Sequence, residues 1–394
     1  MKFQWRPETI KNENNKSITL KTNIIIYILM ASISVTISSC YSTKITPEKS
    51  VINSIPHTDS TYIKLDRWLN RQTAKGFKGS VFMVSNGKII IDKSYGQEDT
   101  TLPLAYWIAS NSKSVVGLAI QNLEENKKLS IQDPITKYFT NVPSNKQHIT
   151  IHHLLTHSSG LPHGYITDNI QTYEKALEAL MKVKINKKQI GKFEYSNNGY
   201  ALLVLLIEKL TGKTYEKFIA EEIFKPADLE HTGFWGFEKD NVFNLPPFDP
   251  ARAAKQPATM FDNGKSVVNY GQKGSSGIYS TAEDQFKIFK TMMDGEIISK
   301  TNVEKAFMPY ILISENEDMK TYYGYGWFVG YKDNQLVNIR HSGEETWLGH
   351  NSMRIFYPNG DGIVVLSNSH LTEEEDVWAV QVAYNLEYLL DLLM

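Results

Sequence analysis

From Val115 the apolar positions fall at Val115, Val116, Ala119, Ile120 and Leu123, one face of a 3.6-residue period. The pattern predicts a helix that begins at Ser110. Ile63, Leu65, Trp68 and Leu69 predict an earlier helix. Between them, β-rich runs over 79–85 and 88–95 flank Asn86-Gly87, a hairpin signal. A short helix is expected over 150–157, stopped by Gly160 and Pro162, then a polar helical stretch over 165–190. Tyr200 to Leu210 is strongly apolar, with Gly212 placed as its C-cap, and an amphipathic helix is expected over 214–224. Residues 235–270 carry many turn residues and read as a surface excursion. Thr281 and Asp284 have capping-box spacing for a helix through Met293. Strands are expected at 325–331, 335–340, 351–356 and 362–367, and a closing helix from Glu373 to Leu390. Strands at both ends with helices between them predict an α/β chain of the α+β kind. Its antiparallel sheet is built from both termini and flanked by helices, with a mainly helical subdomain.

The N-terminus has a different character. Residues 1–22 are polar and carry Lys2, Arg6, Lys11, Lys16 and Lys21; a short apolar run, Ile24 to Ile37, follows and ends Ile37-Ser-Ser-Cys40. The layout is that of an export signal, and it resembles a bacterial lipobox with Cys40 as the acylated residue. The apolar run is short for a span of ~20 residues. The expected organisation is a lipoprotein signal peptide over 1–39, a Ser/Thr/Lys/Pro-rich tether over 40–59 and one domain over 60–394. That places the domain in the cell envelope, anchored to a membrane by lipid. An uncleaved anchor with an incidental cysteine is the alternative.

Composition narrows the rest. The chain has 394 residues, 41% apolar and 22% charged, with a net charge of −1. These are ordinary values for a globular protein. No basic block points to nucleic acid. Cys40 is the single cysteine, so no intrachain disulfide forms.

The candidate chemistry lies at the start of the Val115 helix. Ser110 and Lys113 are three residues apart, so a helix puts hydroxyl and amine on one face. A serine becomes a nucleophile when a base takes its proton. Lysine, with a free pKa of about 10.4, becomes that base when burial lowers the value. The helix N-terminus adds N–H groups suited to a developing oxyanion.

Two further motifs follow in order: Tyr195-Ser-Asn197 in a turn-rich loop, and His341-Ser342-Gly343 after an expected strand. With Ser110-x-x-Lys113 they resemble the serine β-lactamase and penicillin-binding-protein superfamily, nearest its class C branch with the related carboxypeptidases and esterases. The resemblance covers roughly residues 60–390 and includes Asp133-Pro134 and His153-Leu-Leu-Thr-His157-Ser-Ser-Gly160. It implies a β-lactamase/transpeptidase-like fold, Ser110 as nucleophile, Lys113 as its base and Tyr195 as proton relay. Asn197 would hold the substrate carbonyl or Lys113. His341 and Ser342 would face the cleft from an edge strand, and the backbone N–H groups of Ser110 and Glu344, beyond Gly343, would form the oxyanion hole. Family members that hydrolyse lactams usually carry lysine at the His341 position. Histidine, near-neutral at pH 7, favours an esterase or peptidase.

The expected activity is therefore hydrolysis of an ester or amide, peptide or β-lactam, through an acyl-enzyme without metal or cofactor. The substrate is a small molecule or peptide, and residues 161–192 and 235–273 shape its pocket. Two rivals stand beside this reading. His153 and His157 have metal-site spacing, but Leu154 replaces the glutamate of His-Glu-x-x-His. A lipoprotein that binds cell-wall fragments, or is acylated without turnover, is the other.

Overall fold

The computed structural model describes residues 52–97, 103–234, 269–345, 349–369 and 378–393, with the backbone of three two-residue strands between 243 and 266. The expected signal, Cys40 and most of the 235–270 excursion lie outside the described residues.

The expected hairpin comprises β1 (Gly79–Ser85) and β2 (Lys88–Tyr95). Asn86 and Gly87 take φ of 50° and 66°, as a tight hairpin turn requires. Their N–H groups donate to the Asp361 carboxylate at 2.8 and 3.0 Å. That aspartate lies between β10 (His350–Phe356) and β11 (Gly362–Ser367). β1 pairs antiparallel with β11 from Gly79 to Val84, so one sheet does join the two ends of the chain.

On β1, Val81 and Met83 enter one core and Phe82 and Val84 the other. On β11, Ile363 and Val365 divide from Val364 and Leu366 in the same way. The first core is closed by α1 (Ser60–Thr73) and the terminal helix α9 (Ala379–Leu393). The second is closed by α7 (Ala282–Asp294), whose Phe286 ring lies 5.3 Å from Phe82. A sheet covered on both faces explains why these strands read as unbroken apolar runs.

Between the sheet strands, β3 (Leu104–Trp107) leads to α2 (Ser112–Glu125) and a helical subdomain. Its centre is α5 (Asn197–Thr211), buried on every side from Asn197 to Ile207. Gly212 caps it at φ 66°, as expected. Among the described residues, no helix is long and apolar enough to cross a membrane.

Several expectations change. The 165–190 stretch is helical only over α4 (Tyr173–Lys182). The 214–224 helix divides into α6 (Tyr215–Ile219) and a π-type turn over Ala220–Phe224. Thr281 caps α7, but Asp284 accepts from Thr232 and His231 instead of reaching back. Within the expected tether, Asn53 and Ile55 bond the backbone of Ile89 on β2, the outermost strand there. Besides β3, the strands β4 (Gly233–Phe234), β5 (Ile278–Ser280), β6 (Ile311–Glu315) and β7 (Lys320–Tyr323) were not expected, the last two short and half-exposed. They precede β8 (Phe328–Lys332) and β9 (Gln335–Glu345). Among the described residues the sheet order is β2-β1-β11-β10-β9-β8-β7-β6.

Helix α2 is fixed by close backbone contact. Gly117 faces the Tyr325 carbonyl, and a Cβ there would collide with that oxygen. Alanine raises helix propensity by about 1 kcal/mol, but overpacking costs about 1–3 kcal/mol. Gly117→Ala is therefore expected to destabilise the fold, seen as a lower urea midpoint with unchanged slope.

Candidate active site

The site begins at a strained turn. After β3 the chain places Ala109 at φ 47°, a region that residues with a Cβ rarely occupy. Ala109–Asn111 form one 3₁₀ turn, and α2 starts at Ser112. Ser110 thus sits in the turn before the helix rather than at the helix start. Surrounding groups hold it there. Asn111 Nδ2 donates to Ser352 Oγ at 2.8 Å, and that hydroxyl donates to the Ile108 carbonyl at 3.0 Å. Arg354, fully buried, donates to the Asn111 carbonyl at 3.1 Å and to Ser114 Oγ at 3.0 Å. Its guanidinium stacks on Trp327, and burial lowers its pKa to about 9.

Lys113 lies beneath the serine with no exposed surface. Its Nζ is 3.1 Å from Ser110 Oγ and donates to the Ser275 carbonyl at 3.0 Å. The rings of Tyr195 and Tyr200 flank it at 4.9 and 5.7 Å. Burial pushes its pKa well below the ordinary lysine value, and the Glu345 charge opposes that only in part. Ser275 belongs to the turn starting at Gly274 (φ 73°), where a Cβ would strike Val204 of α5.

Tyr195 and Asn197 come from the loop that opens α5. Ser196 caps that helix by accepting from Gly199 N–H. Tyr195 is half-buried; burial raises its pKa, and a hydrogen bond with Ser110 opposes the rise. Asn197 is buried, its side chain bonds the Tyr165 hydroxyl, and its Oδ1 has no hydrogen-bond partner among the described residues.

Two features of the third motif differ from expectation. β9 is an interior strand of the sheet, but it pairs with β8 only as far as Arg340 and with β10 as far as Glu345. Residues 341–345 therefore have one unpaired edge. His341 is buried and engaged internally. Nδ1 contacts the Ser342 carbonyl at 2.7 Å and Nε2 the Tyr323 hydroxyl at 3.1 Å. This network assigns the proton to Nδ1. Burial, then the charge of Arg354, holds its pKa well below 6.5. His341 is thus a neutral wall, with neither nitrogen left for a substrate carboxylate. Gly343 has a steric role: a Cβ there would strike the Ile108 carbonyl and lie 3.0 Å from Ser110 N. Glycine lets the Gly343–Glu344 backbone lie against the Ser110 turn.

Together Ser110, Tyr195, Asn197, His341, Ser342 and Gly343 line a cleft of about 390 Å³. Glu344 lies at the same wall, its pKa raised by burial. The cleft also takes in His163, Tyr165, Phe328 and Glu345, which no motif marked. The first two fall in the 161–192 stretch expected to shape the pocket. His153 and His157 do not converge: His153 Nδ1 accepts from Thr150 N–H and His157 Nδ1 from Ser196 N–H. Each imidazole serves its own backbone donor.

A beta-lactamase family model matches residues 65–385. The chain belongs to the beta-lactamase family. Penicillin-binding protein PbpX of Bacillus subtilis is 30% identical over 302 residues, 74% of this chain and 70% of that protein. Teichoic acid D-alanine hydrolase of Staphylococcus aureus is 29% identical over 299 residues, 73% and 70% of the two chains. Among solved structures, the octameric penicillin-binding protein homologue from Pyrococcus abyssi superposes with a TM-score of 0.66 at 25% identity. It covers 83% of this chain and 77% of that one. This beta-lactamase-family protein is a serine hydrolase.

The buried amine has a consequence for stability. Between the lowered pKa of Lys113 in the folded state and its ordinary value of 10.5, the unfolded chain binds more protons. Stability then rises with pH across that window, by at most about 1.4 kcal/mol per unit. Lys113→Met should be more stable than wild type at neutral pH, and its advantage should shrink as pH approaches 10.5. Urea titrations at stepped pH measure this difference.

Proposed function

We propose that this hydrolase uses Ser110 to cleave an ester or amide whose acyl group carries an ammonium rather than a carboxylate. The observation that carries this reading is the charge of the cleft. Its described lining includes Glu344 and Glu345 and no lysine or arginine. A β-lactam or a peptide with a free C-terminus brings a carboxylate that needs a cation, and His341 is neutral. The relative named teichoic acid D-alanine hydrolase fits this chemistry, because alanine linked through its carboxyl keeps its amine free.

In the proposed cycle, neutral Lys113 takes the proton from Ser110 Oγ, which lies 3.1 Å away. Oγ attacks the substrate carbonyl, and the N–H groups of Ser110 and Glu344 receive the oxyanion. Tyr195 gives its phenolic proton to the departing oxygen or nitrogen and regains one from the Lys113 ammonium. Asn197 Oδ1, buried and unpartnered, accepts from an N–H of the acyl group. Water then reverses these transfers and frees Ser110. We also propose that residues 1–39 export the chain and that Cys40 carries its lipid anchor at the cell envelope.

Full-length protein in detergent, given D-alanine p-nitroanilide, N-acetyl-D-alanine p-nitroanilide and a chromogenic cephalosporin, tests the activity. The free-amine substrate should turn over fastest. Ser110→Ala should remove activity by at least about 10³-fold. Glu345→Gln should raise KM about tenfold for the free amine alone, the effect of losing ~1.4 kcal/mol of charge pairing. Preference for the cephalosporin overturns the substrate reading. A stoichiometric burst without turnover favours a penicillin-binding lipoprotein that stays acylated.

Anchoring has a separate test. Cells fed labelled palmitate should label wild type and leave Cys40→Ser unlabelled; equal labelling removes Cys40 as the anchor.

A further inference from the structure

His157 lies outside the cleft lining but packs directly behind Tyr195. It follows α3 (Ile151–Leu155) and takes φ 56°, the left-handed conformation. This bend directs both acceptors of the residue to one segment of distant chain. Its carbonyl accepts from Glu194 N–H at 2.8 Å, and its Nδ1 accepts from Ser196 N–H at 3.0 Å. Tyr195, between those two amides, packs its ring against the imidazole at 4.2 Å, tilted by 35°. Tyr323 and Tyr200 close the other sides at 4.6 and 4.9 Å.

Because Nδ1 accepts, the proton of the neutral ring is on Nε2. That atom is buried and has no hydrogen-bond partner among the described residues. An orphaned buried donor is a cost. Phenylalanine would fill the same space without it, but would leave the Ser196 N–H without its acceptor. Complete burial holds His157 neutral. An imidazolium would lose the acceptor and add a cation beside Lys113.

We propose that His157 is a positioning residue that clamps the backbone on both sides of Tyr195, and so sets Tyr195 and Asn197 against Ser110. The proposal rests on the reading of Tyr195 as proton relay. Other anchors of this loop, Ser196 Oγ and Asn198 Nδ2, both bond the Pro162 carbonyl and leave the 194 and 196 amides to His157.

Two substitutions in the full-length protein separate clamping from packing. Asn tolerates the left-handed conformation, and its Oδ1 stands where Nδ1 stood, but it leaves a void among the tyrosines. Phe keeps the ring and has no acceptor. The clamp predicts that His157→Asn retains kcat within about threefold despite a lower melting temperature. It predicts that His157→Phe loses about 10- to 100-fold in kcat, the scale of a small misplacement, with KM within about twofold. Amide exchange at Ser196 should stay slow in wild type and the Asn variant and become fast in the Phe variant. A Phe variant as active as wild type, or one with Ser196 still protected, overturns the proposal. So does an Asn variant slowed more than tenfold, which also decides the matter where the Phe variant does not fold. If wild type turns over none of the substrates, the functional reading fails and the exchange result alone judges the clamp.

Discussion

The site depends on an amine that is fully removed from water. Placing Lys113 inside the protein costs free energy unless it sheds its proton. The surroundings make shedding the cheaper course. Its polar contacts are a backbone carbonyl and the Ser110 hydroxyl, both neutral. Its walls are tyrosine rings. The nearby Glu345 charge is too weak to reverse the effect of burial. The same burial that opposes stability is what the proposed cycle uses to make Lys113 a base.

The Lys113 contact is useful only if the serine is held against it, and the sheet and helices share that work. Ala109 occupies a disfavoured conformation that Ser352 and Arg354 stabilise from β10. Such strain persists where surrounding structure over-determines it. Gly343 lets β9 approach until its backbone meets the turn. The shortness of β8 then leaves residues 341–345 with an open edge beside the serine. A substrate lying there finds backbone hydrogen-bonding groups already arrayed.

Electrostatics carries the proposed preference for an ammonium over a carboxylate. Buried cations are present, but Arg354 is committed to Gln285, the Asn111 carbonyl and Ser114, and Lys113 is neutralised by burial. His341 contributes shape and a tyrosine contact instead of charge. Among the described lining residues, Glu344 and Glu345 are the acidic groups, with no lysine or arginine beside them, and the proposed ammonium reading rests on that.

What could be read along the chain was whatever depends on near neighbours. Ser110 and Lys113 meet because three residues along this helical turn share a face. Asn86-Gly87 makes its hairpin because few residues accept positive φ, and Gly212 ends α5 for the same reason. The joint order of Ser110, Tyr195 and His341 indicated one shared cleft, and the apolar runs at both ends of the chain indicated one sheet. Tertiary structure decided what depends on distant chain meeting: the Ser275 carbonyl on Lys113, the His157 clamp on residues 194 and 196, and Glu345 and Tyr165 in the cleft. It also decided that His341 turns inward and that β9 is an edge for only half its length. Pairing between strands, burial and hydrogen-bond partners across 40 to 240 residues leave no periodicity in sequence, because they are set by where the packed elements bring the backbone rather than by local preference.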